Sequence, residues 1–210
     1  MKLLIHPTYF PSIATFSAMQ QRSIIWEIED NYQKQTYRNR CYICNDIGRQ
    51  LLSIPIEHVG GHQGRQKYKE VRLDHSYHWQ RLHWRTLQTA YRTSPFFEFY
   101  EDDLAPLFEK KYTYLLDFNL NTIAVICSCL QTEMPDEKTS KYEIQPENIM
   151  DGRQLVNAKA SLNFQPQDYV QVFGDRHGFV GNLSILDLMF NEGTNTLHYL
   201  KSQSLSFLHA

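Results

Sequence analysis

KLLIHPTYFPSIATFSAMQQRSIIWEI, residues 2–28, decides how the chain begins to fold. Residues 2–6 read as a short buried strand. Ser12 is placed to cap a helix that carries Ile13, Phe16 and Met19 on one stripe. Residues 24–28 (IIWEI) read as a second strand. Strand, loop, helix and strand in this order form a βαβ unit, so a parallel sheet opens the chain.

The next segments have a different period. Residues 36–44 (TYRNRCYIC) and 50–56 (QLLSIPI) flank Asn45-Asp46-Ile47-Gly48, which predicts an antiparallel hairpin with Gly48 free to take a positive φ. A glycine-rich loop, Gly60-Gly61-His62-Gln63-Gly64, is followed by Arg65, Lys67 and Lys69. From Tyr77 to Arg92 apolar residues recur at three and four: Trp79, Leu82, His83, Leu87, Ala90 and Tyr91. Ser94-Pro95 breaks that helix. Further helices are expected over 96–110, 112–130 and 184–191, with Gly193 leading into a last one. Residues 132–141 are polar, contain Pro135 and read as a possible linker, while 143–167 show no assignable pattern. The expected class is therefore α/β: a mixed sheet opening with a βαβ unit and an antiparallel hairpin, followed by a helical layer, in one domain over 1–210.

Composition narrows the function. A chain of 210 residues with 13 Tyr and 12 Phe has enough apolar side chain for a sizeable core. A formal net charge of −2 gives no global attraction to nucleic acid or an anionic membrane, so neither is expected as a partner. The first apolar run is interrupted by Pro7 and Pro11 and is too short for a signal peptide. No run approaches the roughly 20 apolar residues of a membrane span. Cys41, Cys44, Cys127 and Cys129 have spacings that send each pair to different faces, which opposes a zinc site and predicts reduced thiols in a cytoplasmic protein.

Several residues are candidates for chemistry. His6 stands at the carboxyl end of the first strand, where open α/β sheets gather ligands, with a helix N-terminus nearby to attract an anion. The same HPTYFPS loop carries Tyr9, which would either line a pocket or plug the core. Arg38 and Arg40 share one face of an expected strand and suit a phosphate or carboxylate, with Tyr37 and Asn39 on the other face; a solvated, ion-paired sheet face is the alternative. The glycine loop reads as a lid over phosphates or as an ordinary surface loop. His83 lies on an apolar helix face, either as an acid/base or as a satisfied core residue. Asn119 interrupts the apolar face of its helix, so its amide needs partners in a neighbouring element or a ligand. Ser184-x-x-Asp187 matches a capping box. Nothing in the sequence names a cofactor or a metal, and no serine triad, zinc-protease or dinucleotide glycine motif occurs.

Taken together, HPTYFPSI (6–13), TYRNRCYI (36–43), LSIPI (52–56), HWQRLHWRTLQTAYRTSPFFEFY (78–100), LLDFNLNTI (115–123) and GNLSILDLMFNEG (181–193) resemble the WbqC-like protein family. The resemblance runs across nearly the whole chain, although many members carry Gln-Pro where this chain has His6-Pro7. It implies a role in O-antigen or other surface-polysaccharide biosynthesis, as a transferase-like protein modifying a nucleotide-activated amino sugar by acyl or aminoacyl transfer. On that reading His6 and His83 are the catalytic candidates. Tyr9, Tyr37, Arg38, Asn39, Arg40, Asn119 and Asp187 bind the nucleotide sugar. The alternative is a non-catalytic module for a small anionic ligand or a partner protein.

Overall fold

The computed structural model describes residues 1–57, 66–160 and 162–209. Strand β1 (Lys2–Ile5), helix α1 (Ile13–Gln21) and strand β2 (Ile24–Trp26) form the expected βαβ unit. The strands pair in parallel, Leu3 opposite Ile24 and Ile5 opposite Trp26. Ser12 caps α1 by accepting the Thr15 N–H, and Phe16 and Ala18 are buried in the core. Strands β3 (Arg40–Asn45) and β4 (Gly48–Ser53) form the hairpin, turned by Gly48 at φ +104°. The first strand of the hairpin is shorter than its alternation suggests. Residues 36–39 turn, because the Asn39 N–H bonds back to the Thr36 carbonyl and Thr36 bridges to Asn157.

The helical layer consists of α2 (Trp79–Tyr91), α3 (Phe97–Glu109) and α4 (Leu115–Cys129). α2 buries Trp79, His83, Leu87, Ala90 and Tyr91, whereas Leu82, counted in the same recurrence, points outward with 65% of its surface exposed. The patternless region contains strand β5 (Ile149–Asp151), which pairs in parallel with the other side of β1 and makes the strand order β2-β1-β5. A strand of three residues is too short to show a period. Residues 132–141 do not swing free as a linker. The Trp26 N–H donates to the Glu137 carbonyl at 2.9 Å, and the Thr139 N–H to the Trp26 carbonyl at 2.9 Å, binding this stretch along β2. The single turn α5 (Gly174–His177) precedes α6 (Ile185–Glu192) and α7 (Thr196–Ser202), which close the core over α1. No described helix is long and apolar enough to cross a membrane.

Because Leu87 is fully buried, Leu87→Ala is expected to destabilise the protein by about 2–5 kcal/mol. The exposed Leu82→Ala should stay within about 0.5 kcal/mol. Urea unfolding of both variants checks which face of α2 is inward.

Candidate active site at the strand ends

Continuing the ladders past the last paired residues places three side chains in one row. Ile5 opposite Trp26 leads to His6 opposite Glu27, and Leu4 opposite Asp151 leads two residues on to His6 opposite Arg153. The Glu27 N–H donates to the Ile5 carbonyl at 2.8 Å and the Gly152 N–H to the Leu4 carbonyl at 2.9 Å, which extends both pairings. A Cβ on Gly152 would lie 2.7 Å from Leu3 Cδ1 and 2.9 Å from Ile5 Cγ2, so glycine lets the chain after β5 close against β1. Arg153 Nη1 reaches across the row to 3.9 Å from Glu27 Oε2, and its Nη2 holds Asp151 at 2.6 Å. The chain leaves β1 toward β2 on one side and returns as β5 on the other. At such a reversal, the carboxyl ends of the strands open a crevice suited to ligands.

Arg38 backs this row. It has no solvent exposure, and its Nη2 lies 2.7 Å from His6 Nε2 and 2.8 Å from Asp30 Oδ2. A guanidinium only donates. The same Nε2 lies 3.0 Å from Asp30 Oδ2, which only accepts, so the tautomer follows the partner it takes: bonded to Arg38, Nε2 accepts and the neutral ring carries its proton on Nδ1. That atom is buried without a hydrogen-bond partner among the described residues, as are Nε and Nη1 of Arg38 and Oδ1 of Asn119. Burial, aided by the Arg38 charge and opposed by Asp30, lowers the His6 pKa to about 4, so the ring is neutral near pH 7. Burial alone would raise the Asp30 carboxyl, but the adjoining His6 ring, its Nε2 3.0 Å from Asp30 Oδ2, and the Arg38 charge outweigh it and hold the group below its ordinary value. Glu27 behaves oppositely. Burial raises its carboxyl despite the hydrogen bonds that Oε1 accepts from the Glu29 N–H at 2.8 Å and the Thr139 hydroxyl at 3.1 Å. Of the row, Glu27 lines a cavity of about 210 Å³ that Lys138 and Lys141 also line; His6 is buried, and the Asp30 and Arg153 side chains beside it are each 12% exposed.

The sequence-predicted residues separate into five groups, Asp187 standing alone among them. His6, Arg38 and Asn119 come together: Asn119 Nδ2 donates to the Arg38 carbonyl at 2.6 Å and to the Tyr68 hydroxyl at 2.7 Å, and that hydroxyl donates to the Pro7 carbonyl at 2.7 Å. Arg38 and Arg40 do not share a strand face, because residue 38 sits in the turn. Arg40 and Asn39 instead line a separate surface pocket with Tyr32 and Lys34. Tyr37 lines another cleft, with Arg49. His83 stays apart from His6. It lies in the helical layer, where its Nδ1 meets the Tyr9 hydroxyl at 3.0 Å and its ring is also bonded to the Ser53 backbone. Tyr9 has no exposure and cannot line a cavity.

Three further expectations change. Asp187 does not complete a capping box. Ser184 caps α6 through the Leu186 N–H, while the buried Asp187 carboxylate accepts from the Tyr91 hydroxyl at 2.7 Å, the Tyr169 hydroxyl at 2.5 Å and Gln171 at 2.8 Å. The α1 N-terminus offers no free amide to an anion, since the Ile13, Ala14, Thr15 and Phe16 N–H groups bond to Leu183, Asn182 and Ser12. The glycine loop and Arg65 lie outside the described residues, whereas Lys67 and Lys69 are held by Glu29. All four cysteines are free thiols. Sequence reading missed Glu27, Asp30 and Arg153. The first two follow a strand-like run as a polar cluster (EIED), a legible signal; Arg153 follows a strand too short to recognise.

The WbqC-like protein family matches residues 6–163, about three quarters of the chain. The chain belongs to the WbqC-like protein family. Every residue of the strand-end row and of its Arg38 support falls within the matched stretch, and Asp187 falls outside it. The "Uncharacterized protein Rv1507c" of Mycobacterium tuberculosis is 28% identical, over 94% of this chain and 96% of its own length. No solved structure matches this WbqC-like chain.

Two expected outcomes follow from the site's electrostatics. His6 and His83 both fall from an ordinary value of 6.5 to about 4 on folding. Between those values the unfolded chain binds more protons, so each histidine withdraws stability as pH falls, on the order of 2 kcal/mol at pH 5. Glu27 and Asp187, whose carboxyls are raised, act in the opposite sense. Melting temperatures from pH 8 to 5 should decline less steeply in His83→Gln than in the wild type. Arg38→Ala, which strips Asp30 of its buried partner, should cost roughly 3–5 kcal/mol in urea unfolding. An unchanged midpoint would mean that the guanidinium is not pinned.

Proposed function

We propose that the protein is a transferase acting on a nucleotide-activated amino sugar in surface-polysaccharide biosynthesis, moving an acyl or aminoacyl group to the sugar's amine. The observation that carries this reading is the Glu27–His6–Arg153 row at the carboxyl edge of the parallel sheet. Glu27, a carboxylate whose affinity for a proton is raised by burial, takes the proton lost by the attacking amine. The amine nitrogen bonds to the carbonyl carbon of an activated acyl donor, and the donor's leaving group departs with the electron pair of the bond it breaks. The negative charge that gathers on the carbonyl oxygen is met by the His6 Nδ1–H and the Arg153 guanidinium. Family membership supports the pathway by its name alone.

On this reading His6 serves as a neutral donor rather than a base, in the tautomer whose Nε2 accepts from Arg38 instead of donating to Asp30. His83 is left out of the chemistry. A second reading, a non-catalytic binder of a small anion, is favoured by the complete burial of Arg38, which suits a strut as well as a catalyst's support.

The test separates the two. Intact protein is screened by thermal melts against nucleotide sugars, and hits are assayed for transfer with activated acyl donors. Glu27→Gln should lower turnover about 100-fold or more while binding persists. His6→Gln, whose amide keeps both an acceptor and an N–H, should retain turnover within about tenfold, whereas His6→Ala should lose about 100-fold. Binding without turnover in the wild type would establish the second reading, and full turnover in Glu27→Gln would remove the carboxylate from the mechanism.

A further inference from the structure

Tyr37, next to Arg38 in the chain, lines a cleft of about 460 Å³, within the roughly 300–1,000 Å³ range of small-molecule sites. Its two cations are Arg49 and Lys159, and no Asp or Glu is among the described residues that line it. Neither cation forms an ion pair among the described residues. In a chain of net charge −2, this acid-free concavity is a local reversal of sign. Arg49 is held in place, its guanidinium 3.8 Å from the centre of the Tyr42 ring.

The rest of the lining suits a ring with polar edges. Asn157 commits its amide oxygen to the Lys159 N–H at 3.0 Å, and Asn182 its oxygen to the Ala14 N–H at 3.0 Å, leaving the NH₂ groups of both without a partner among the described residues. Asn163 adds a third amide. Phe164, packed edge-on against Phe207 at 5.1 Å, supplies a flat apolar wall. Paired cations select phosphate oxygens, and amides beside an aromatic face select a heterocyclic base.

We propose that this cleft binds a nucleoside diphosphate, with its phosphates on Arg49 and Lys159 and its base against Phe164 and the Asn157 and Asn163 amides. The assignment rests on the nucleotide-sugar reading above and locates the nucleotide half of that substrate. Tyr37 of the cleft precedes Arg38, and Gln154 and Leu155 of the cleft follow Arg153, so on this assignment the sugar extends from the cleft toward the strand-end row.

Calorimetric titration of the intact protein with UDP, CDP, GDP, ADP and dTDP tests it, with inorganic pyrophosphate alongside. At least one nucleotide should bind, and more tightly than pyrophosphate. The double variant Arg49→Ala/Lys159→Ala, which changes only exposed side chains, should weaken it about 100-fold, at about tenfold per charge-assisted contact. Arg85→Ala, an exposed cation elsewhere, should leave it unchanged. No binding by any of the five, equal binding of pyrophosphate, or full affinity in the double variant would each overturn the assignment. The two readings fail separately. If sugar transfer proceeds with an unaltered KM in the double variant, the cleft assignment falls and the transferase stands. If nucleotide binding needs Arg49 and Lys159 but Glu27→Gln keeps full turnover, the cleft stands and the mechanism falls.

Discussion

A guanidinium with no contact with water must find its partners inside the protein, and Arg38 is tied to four separate pieces of chain. Its Nη2 is shared by the loop after β1, through His6, and the segment after β2, through Asp30. Its carbonyl is tied to α4 through Asn119, and its plane stands 5.3 Å from the ring centre of Tyr68, whose hydroxyl returns to the loop after β1 at Pro7. A buried ion pair of this kind contributes little net stability over an apolar replacement, because desolvation offsets most of the attraction. Its contribution here is positional. With Nε and Nη1 unpartnered among the described residues, the arrangement is a costly way to fill a core and an effective way to fix an imidazole.

The same contact sets the charge state of the row. A histidine beside a carboxylate ordinarily gains basicity, yet His6 loses it, because burial and the neighbouring guanidinium outweigh Asp30. The ring is left neutral, its Nε2 set between Arg38 and Asp30 and its Nδ1 free of partners among the described residues. Two carboxyls a few residues apart are driven in opposite directions: Asp30 is stabilised as an anion, and Glu27 is made a better proton acceptor. Such divergence between neighbouring acids distinguishes a group that holds a charge from one that moves a proton.

Much of the fold was legible and only part of the site. The βαβ opening, the hairpin turned by Gly48 and the helices of the central layer follow from periods that survive over enough residues to be read. β5 does not, since three residues carry no period, and with it went Arg153 and the reversal of strand order that makes the crevice. Arg38 was singled out for the wrong reason. Strand alternation pairs it with Arg40 on an open face, but a turn at 36–39 sends it inward and sends Arg40 to a different surface. His83 and Asp187 looked functional because polar groups on apolar faces are conspicuous, and each proves to be engaged inside the protein, His83 by Tyr9 and the Ser53 backbone and Asp187 by Tyr91, Tyr169 and Gln171. Periodicity identifies which groups are buried, and only three-dimensional pairing shows which of them retain unused hydrogen-bonding capacity.

That distinction also explains how two environments of opposite character coexist a single peptide apart. Tyr37 faces a cleft whose described lining holds no acid and whose two cations form no ion pair among the described residues, and Arg38 is paired with the Asp30 carboxylate. The joint between them cannot rotate freely. The Tyr37 N–H donates to the Val156 carbonyl, its own carbonyl accepts from the Tyr9 N–H at 3.0 Å, and the Arg38 carbonyl is held by Asn119. Tyr9 is in turn fixed by His83, which gives the saturated histidine a physical role: it anchors the tyrosine whose backbone fixes the joint. Val156 lies just beyond Arg153, so the segment that supplies the cation of the row also clamps the turn that divides the two environments. A substrate spanning both would meet a partition that is already rigid, with little ordering left to be done on binding, which is the condition under which charged groups act most strongly on a developing charge.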